Sequence, residues 1–175
     1  MTLGDKLLIY RSKYPSEKDK VDKCLQLLEA GPGCFRRDTD PGHFTGSAWV
    51  VNTDFTKTLL VRHRKLGKWV QPGGHADGEQ SLYVVARREL KEETGLDGMP
   101  GQGDDIFDID IHFISAAKGE DEHYHFDVRF LFPARESSPI LFSDEFHDAG
   151  WIEFDHLEEY TGEESILRMR RKCMQ

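Results

Sequence analysis

Apolar and polar residues alternate along several stretches of the chain with the two-residue period of a β-strand. The stretch from Ile106 to Ile114 places its apolar side chains on one face and Asp108, Asp110 and His112 on the other. The stretch from His123 to Phe132 alternates in the same way. Three more strands are predicted from composition and flanking turns: Phe44 to Val51, Lys57 to His63 and Gly150 to Phe154.

A helical period marks other parts of the chain. Apolar residues from Val21 to Leu28 recur on one helical face after Pro15, with Ser16 as the expected N-cap and Cys24 as a core residue. A central helix is predicted from Leu82 to Thr94. Two shorter helices are predicted near the C-terminus, from Asp155 to Tyr160 and around Ser165 to Lys172.

Strand pairs and helices follow one another without a repeated strand–helix–strand unit, which favours an α+β fold. The length of 175 residues suits one domain with a sizeable core. We expect residues 1–175 to form this domain, with an N-terminal helical extension over about residues 1–31. The glycine-rich stretch from Gly98 to Asp105 is expected to be a loop within it.

The central helix carries three carboxylates near its C-terminal end. At ~100° per residue, Glu89, Glu92 and Glu93 continue a stripe that begins with apolar residues. Like charges at this spacing cost roughly 0.2–0.5 kcal/mol per pair on an exposed helix, and the helix dipole disfavours negative charge at this end. One interpretation is a solvated acidic face. The other is a divalent-cation site, because carboxylate oxygens suit hard cations.

The same residues belong to a longer motif. From Gly74 to Leu96 the chain resembles the signature of the Nudix hydrolases: Gly, five residues, Glu, seven residues, then Arg-Glu-aliphatic-x-Glu-Glu-x-Gly-aliphatic. The second half is complete from Arg88 to Leu96, and the preceding KWVQPGGH also resembles the family. One position departs from the signature, since Gln80 stands in place of the first glutamate and lacks its charge.

The resemblance implies an α/β/α sandwich with a mixed β-sheet. It also implies hydrolysis of a nucleoside diphosphate linked to another moiety, or of a related pyrophosphate, with Mg²⁺ or Mn²⁺. By position, Glu89, Glu92 and Glu93 would hold metal, and Arg88 would orient a glutamate through an ion pair.

A carboxylate base is also implied, because the attacking water has to lose a proton. The candidates are Glu92 and a glutamate from a later loop, for which Glu145 is the best match in this sequence. Gly73 and Gly74 precede the helix, where glycine permits close approach, and are expected to contact substrate.

His123, His125 and Asp127 point to one side of their predicted strand. They form either a polar face toward solvent or, as the resemblance implies, a substrate-facing side of the sheet. A zinc site from His123 and His125 alone is disfavoured, since the sequence shows no evident set of partner ligands.

Composition and charge limit the partners. The formal charge of −9 argues against a broad nucleic-acid surface, because neutralising phosphates requires clustered Lys and Arg. A small phosphorylated substrate, such as a nucleotide, stays compatible because a bound metal supplies local positive charge.

No apolar run approaches the ~20 residues that span a bilayer. Three scattered cysteines without a CxxC pair favour a reducing, cytoplasmic compartment. The pattern does not decide between a monomer and a homodimer.

Two rival functions fit the same resemblance. A ligand-sensing Nudix domain without catalysis is suggested by Gln80 alone. An isomerase of the isopentenyl diphosphate type needs a reactive cysteine in the site, whereas Cys24, Cys34 and Cys173 lie in terminal regions. The hydrolase is therefore the leading hypothesis.

Overall fold

The structure, a computed structural model of the chain, describes residues 1–99, 103–116 and 121–175. Within these ranges the strands form one mixed sheet. The strands are β1 (Gly42–Asn52), β2 (Lys57–His63), β3 (Trp69–Val70), β4 (Gly73–His75), β5 (Asp108–Ile114), β6 (His123–Ala134) and β7 (Phe146–Glu153).

Helices lie before, between and after these strands. Single 3₁₀ turns occur at Pro15–Glu17, Gly31–Phe35 and Phe154–His156. The described α-helices are α1 (Leu3–Lys13), α2 (Lys18–Leu28), α3 (Leu82–Thr94), α4 (Leu157–Tyr160) and α5 (Glu164–Cys173). None of them combines the length and apolar character needed to cross a bilayer.

Strand β1 is the centre of the sheet, whose main order is β3-β2-β1-β6-β5. It pairs in parallel with β6 along its whole length, and every residue of β1 is buried. On one face, apolar side chains pack under α1, α2 and α3; on the other, they pack under α4 and α5. Helices therefore cover both faces, which confirms the predicted α/β/α sandwich with a mixed sheet.

The ends of the helices show which local signals determine structure. The central helix spans Leu82–Thr94 as predicted, and Gly95 closes it in the left-handed conformation with a φ of 75°. The predicted N-cap at Ser16 is wrong: α2 begins at Lys18, after a 3₁₀ turn, and its N-cap is Glu17 without a side-chain cap. Part of the predicted Gly98–Asp105 loop, residues 100–102, lies outside the described residues.

A cluster of charged side chains is buried between the sheet and α5. Asp108, Asp127 and Arg129 are each no more than 2% exposed, so the solvent-face interpretation of this side of β6 is wrong for Asp127. Asp127 is buried because it accepts hydrogen bonds from β1 and pairs with Arg129 of its own strand. Helix α5 supplies charges opposite Asp108. Arg168 donates to both oxygens of Asp108 at 2.9 and 2.8 Å, and Lys172 donates to Oδ1 at 2.7 Å.

These partners decide the ionisation of Asp108. Burial alone would raise the pKa of its carboxyl, but the hydrogen bonds from Arg168 and the charges of Arg129 and Lys172 outweigh burial and hold the pKa below its ordinary value. Lys172 also donates to the Tyr10 hydroxyl at 2.6 Å. The N-terminal and C-terminal helices are thus joined through one buried network.

Candidate active site

Strand β4 lies directly against the acidic end of α3. The backbone N–H of Gly73 donates to Oε2 of Glu93 at 3.1 Å. A Cβ on Gly74 would lie 2.6 Å from the carboxylate of Glu89, closer than van der Waals contact allows. Gly74 therefore lets the backbone approach the Glu89 carboxylate more closely than a residue with a side chain would, whereas a Cβ on Gly73 would collide with Ser47 of β1.

Replacing Gly74 by Ala is expected to displace the Glu89 carboxylate. If Glu89 holds metal, as the resemblance implies, hydrolytic turnover should fall at least about tenfold, as disturbing the surroundings of a metal ligand commonly does. The matched control is Gly150→Ala, where an added Cβ meets no atom within 4 Å. Comparison of kcat for the two variants with wild type checks this. Equal turnover for both variants would contradict the proposed close approach at Gly74.

Arg88 fixes the orientation of Glu89. Its Nη2 donates to Oε1 of Glu89 at 2.7 Å and to the backbone carbonyl of His75 at 2.8 Å, and its Nε donates to the same Glu89 oxygen at 3.2 Å. The guanidinium thus bridges helix α3 and strand β4. The ion pair that the resemblance implies for Arg88 is present with Glu89.

Glu93 is the most perturbed acid of the site. The pKa of its carboxyl is raised to about 8, chiefly by burial. The Gly73 N–H opposes this shift, but the negative charges of neighbouring side chains add to it. These neighbours are Glu89, Glu145 and Glu92.

Glu145 joins this group from a different part of the chain. It lies immediately before β7, and its backbone carbonyl accepts a hydrogen bond from the N–H of Arg64 at 3.0 Å. Its carboxylate is close enough to Glu93 to raise the pKa of that residue. The loop position predicted for Glu145 therefore places it at the acidic end of α3.

This arrangement suits a divalent cation. A buried carboxyl group surrounded by carboxylates is costly to ionise, and a bound cation removes that cost by compensating the charge. Glu89, Glu92 and Glu93 are the residues that would hold Mg²⁺ or Mn²⁺, with oxygen ligands of the kind these ions prefer. Their individual roles stay predictions.

Asp127 is held by the protein itself. Its Oδ1 accepts from the hydroxyls of Thr45 and Ser47 at 3.0 and 2.7 Å, and its Oδ2 accepts from Arg129 and Gln71 at 2.7 and 3.3 Å. Because this carboxylate is buried and fully bonded, it organises the sheet face beside the site. Its direct contact with substrate stays a prediction.

His123 and His125 meet three further histidines that the strand pattern alone did not connect. His43 pairs with His125 across the parallel strands β1 and β6, and His112 pairs with it across β5 and β6. The ring of His75, from β4, lies 5.2 Å from that of His43. Burial, followed by the charges of neighbouring histidines, lowers the pKa of His43 to about 4 and that of His125 to about 2.

The buried histidine makes stability depend on pH. An unfolded histidine has a pKa of about 6.5, whereas folded His43 has a pKa of about 4. Between these values the unfolded chain binds the proton and folded His43 does not. The free energy of unfolding is therefore expected to fall on acidification from about pH 6.5 to about pH 4, by up to about 1.4 kcal/mol per pH unit for this residue.

Urea unfolding over this pH range, with a chelator present, measures the slope. His43→Gln is expected to reduce it while the contribution of His125 remains, whereas His147→Gln, at an exposed position on β7, serves as the control. An identical slope in wild type and His43→Gln would show that His43 is not the buried neutral group responsible.

Two residues bear on the rival functions. Gln80 is exposed and precedes α3, outside the group of acids around Glu93. Cys34 is fully buried in the apolar cluster, and burial raises the pKa of its thiol, so it is held in the unreactive protonated form. The condition for an isomerase, a reactive Cys34 beside the acids, is therefore not met.

Comparison with known proteins adds independent support. A family model of the NUDIX domain matches residues 43–173. Phosphatase NudJ of Escherichia coli (strain K12) is 42% identical over 55 residues, which make up 30% of this chain and 35% of NudJ. The match thus spans about a third of the length of that relative.

Solved structures share the fold. A C. elegans Ap4A hydrolase in a binary complex has a TM-score of 0.55 at 17% identity, over 74% of this chain and 93% of its own. The E. coli dihydroneopterin triphosphate pyrophosphohydrolase has a TM-score of 0.54 at 16% identity, over 75% and 92%. The family model covers most of the chain and includes the signature helix with its acids in place, and the chain belongs to the Nudix family.

Proposed function

We propose that the protein is a divalent-metal-dependent pyrophosphohydrolase acting on a nucleoside diphosphate-linked or related phosphorylated small molecule. The observation that carries the proposal is the convergence of three carboxylates, those of Glu89, Glu92 and Glu145, around half-buried Glu93. Glu93 lies on a helix whose family signature is complete from Arg88 onward. A solvated acidic face would not bury one of its acids and raise the pKa of that acid to about 8.

Some residues of the site would bind a metal ion, and others position those ligands. Bound Mg²⁺ or Mn²⁺ would neutralise phosphate oxygens and make a water molecule more acidic. Glu89 and Glu93 are fixed for holding such an ion, the first by Arg88 and the second by the Gly73 N–H. This fixed geometry lowers the reorganisation that the reaction requires.

A general base has to accept the proton of the attacking water. Glu92 and Glu145 are both exposed and both near Glu93, so water reaches either one. Glu93 is less suited, because its carboxyl is half-buried and accepts a hydrogen bond from the backbone. We assign the base to Glu92 or Glu145, and comparison of their Gln variants at several pH values separates them.

The site and the neighbouring structures support a proposal for the substrate class. Two structures of this fold belong to hydrolases of Ap4A and of dihydroneopterin triphosphate. Each of these molecules joins a heterocyclic group to a chain of phosphates. A substrate of that general form, with a phosphoanhydride placed at the carboxylates, is the proposal for this chain.

A panel of nucleoside triphosphates, nucleotide sugars, dinucleotides and ADP-ribose, each with Mg²⁺ and with Mn²⁺, tests the proposal through phosphate and nucleotide release. We expect the protein to turn over at least one compound, and we expect this turnover to stop when a chelator is added. Tight binding of a compound without turnover, in every metal, would instead support the ligand-sensing alternative. Turnover that persists in chelator would overturn the metal dependence.

A further inference from the structure

Three histidines meet at one end of the sheet, on the face opposite α3. His43 and His125 are register partners in the parallel pair β1 and β6, and His123 precedes His125 by two residues on the same side of β6. One ring nitrogen from each of the three lies within 4.8 Å of the others. The Nε2 atoms of His123 and His125 are 3.1 Å apart.

These distances are close to those of a metal site. With zinc–nitrogen bonds of 2.0–2.1 Å, two ligands of a tetrahedral ion lie about 3.3 Å apart. The His123–His125 pair already meets this spacing. The widest pair has to close by at most about 1.5 Å, which ring rotation provides.

The surroundings of the rings prepare them as ligands. His123 Nδ1 lies 2.7 Å from the backbone carbonyl of Asp121, and a hydrogen bond there leaves Nε2 with its lone pair facing His125. His43 is 1% exposed, and neither of its ring nitrogens has a hydrogen-bond partner in the described part of the chain. A buried polar group without a partner is costly, and a metal would satisfy it.

The cavity that leads to these rings favours a cation over a phosphate. Its volume is about 370 Å³, and both His43 and His123 line it. Among the described residues that line it, the one arginine is Arg37, whose side chain makes a bidentate ion pair with Asp77. The same set includes the carboxylates of Asp38, Asp40, Asp121 and Glu122.

We propose that His43, His123 and His125 form a binding site for a first-row transition-metal dication of the zinc class, separate from the carboxylates of α3. Three imidazoles select such ions, whereas Mg²⁺ prefers oxygen ligands. A fourth coordination position faces the cavity and is available to water or to a bound molecule. The neutral form of the rings, favoured by burial, is the form that binds metal.

Titration with Co²⁺, a spectroscopic substitute for Zn²⁺, tests the site on the full chain. The protein is first cleared of metal and then held in excess Mg²⁺, which occupies the carboxylates. We expect one equivalent of Co²⁺ to produce the intense visible absorption of a tetrahedral ion, and one equivalent of Zn²⁺ to remove it. No substrate is present, so the result is independent of the hydrolase proposal.

Variants locate the ligands. His123→Gln is expected to weaken Co²⁺ binding by more than about 100-fold, because even loss of a second-shell partner costs about 10–100-fold. The same result is expected for His43→Gln. Circular dichroism shows which of the two variants is folded, and the titration uses that variant. His112→Gln is the matched control, since His112 contacts the His125 ring but is not one of the three ligands.

Two outcomes would overturn the proposal. One is the absence of tetrahedral absorption with wild-type protein at millimolar Co²⁺. The other is an absorption that survives in the His43 and His123 variants but disappears in Glu93→Gln, which would assign the ion to the carboxylates. Retention of the signal in Glu93→Gln, with its loss in the histidine variants, would support the separate site.

Discussion

Replacing Glu93 by Gln is expected to lower kcat at least about 100-fold while making the metal-free protein more stable. The loss follows because Gln would remove the charge of a proposed metal ligand, and disturbance of even the groups that surround a metal's ligands costs about 10–100-fold. The gain follows because Gln can still accept the Gly73 N–H but carries no charge beside Glu89, Glu92 and Glu145. Folded Glu93 keeps its proton up to a pKa of about 8, whereas the unfolded carboxyl loses it near 4.5. The wild-type fold therefore loses stability as the pH rises from about 4.5 to about 8, and Gln removes that loss.

Steady-state turnover and thermal unfolding in a chelator measure the two effects separately. Opposite changes in activity and stability exclude misfolding as the cause of inactivity. Glu92→Gln is expected to lower kcat as well. The control is Glu79→Gln, because Glu79 is exposed and contacts the backbone of Ser81 before the helix. If Glu93→Gln and Glu92→Gln both turned over substrate at the wild-type rate, the proposed mechanism would be wrong.

Asp108→Asn is expected to destabilise the fold by about 3–5 kcal/mol, the usual cost of removing one partner from a buried ion pair. Asp108 is fully buried, and Asn of equal size cannot compensate the charges that face it. Arg129, Arg168 and Lys172 would then remain under α5 with less opposing charge. The free energy of unfolding in urea, compared with wild type, gives the cost.

A matched control separates burial from charge loss. Glu164→Gln also removes a carboxylate that pairs with an arginine, Arg171, but both partners are exposed. An exposed pair contributes about 0–1 kcal/mol, so a small effect is expected. Similar costs for Asp108→Asn and Glu164→Gln would contradict the buried network.

The sequence predicts the elements well where local chemistry determines them. The central helix is predicted to the residue because a glycine in the left-handed conformation ends it and its packed stripe is continuous. Alternation also identifies which residues of β5 and β6 share a face. It does not reveal what covers that face, because the cover of Asp108 comes from α5, about sixty residues further along the chain.

The same distinction applies to the site. The acids of α3 are found by their spacing, since they lie within one short motif. His43 is missed because it joins His125 only through the parallel pairing of β1 and β6. A signal was present in β1, where His43, Thr45 and Ser47 alternate with apolar or small residues in a strand buried along its whole length. Polar residues at alternate positions of such a strand indicate that one of its faces has a chemical role.

The buried network under α5 also has a consequence for synthesis on the ribosome. Asp108 and Arg129 are translated well before Arg168 and Lys172, the side chains that compensate Asp108. Until α5 has left the exit tunnel, the nascent sheet has one uncovered face with charged side chains that lack their final partners. The native packing of this face is therefore completed only after α5 emerges, although β1 and its neighbours are made before it.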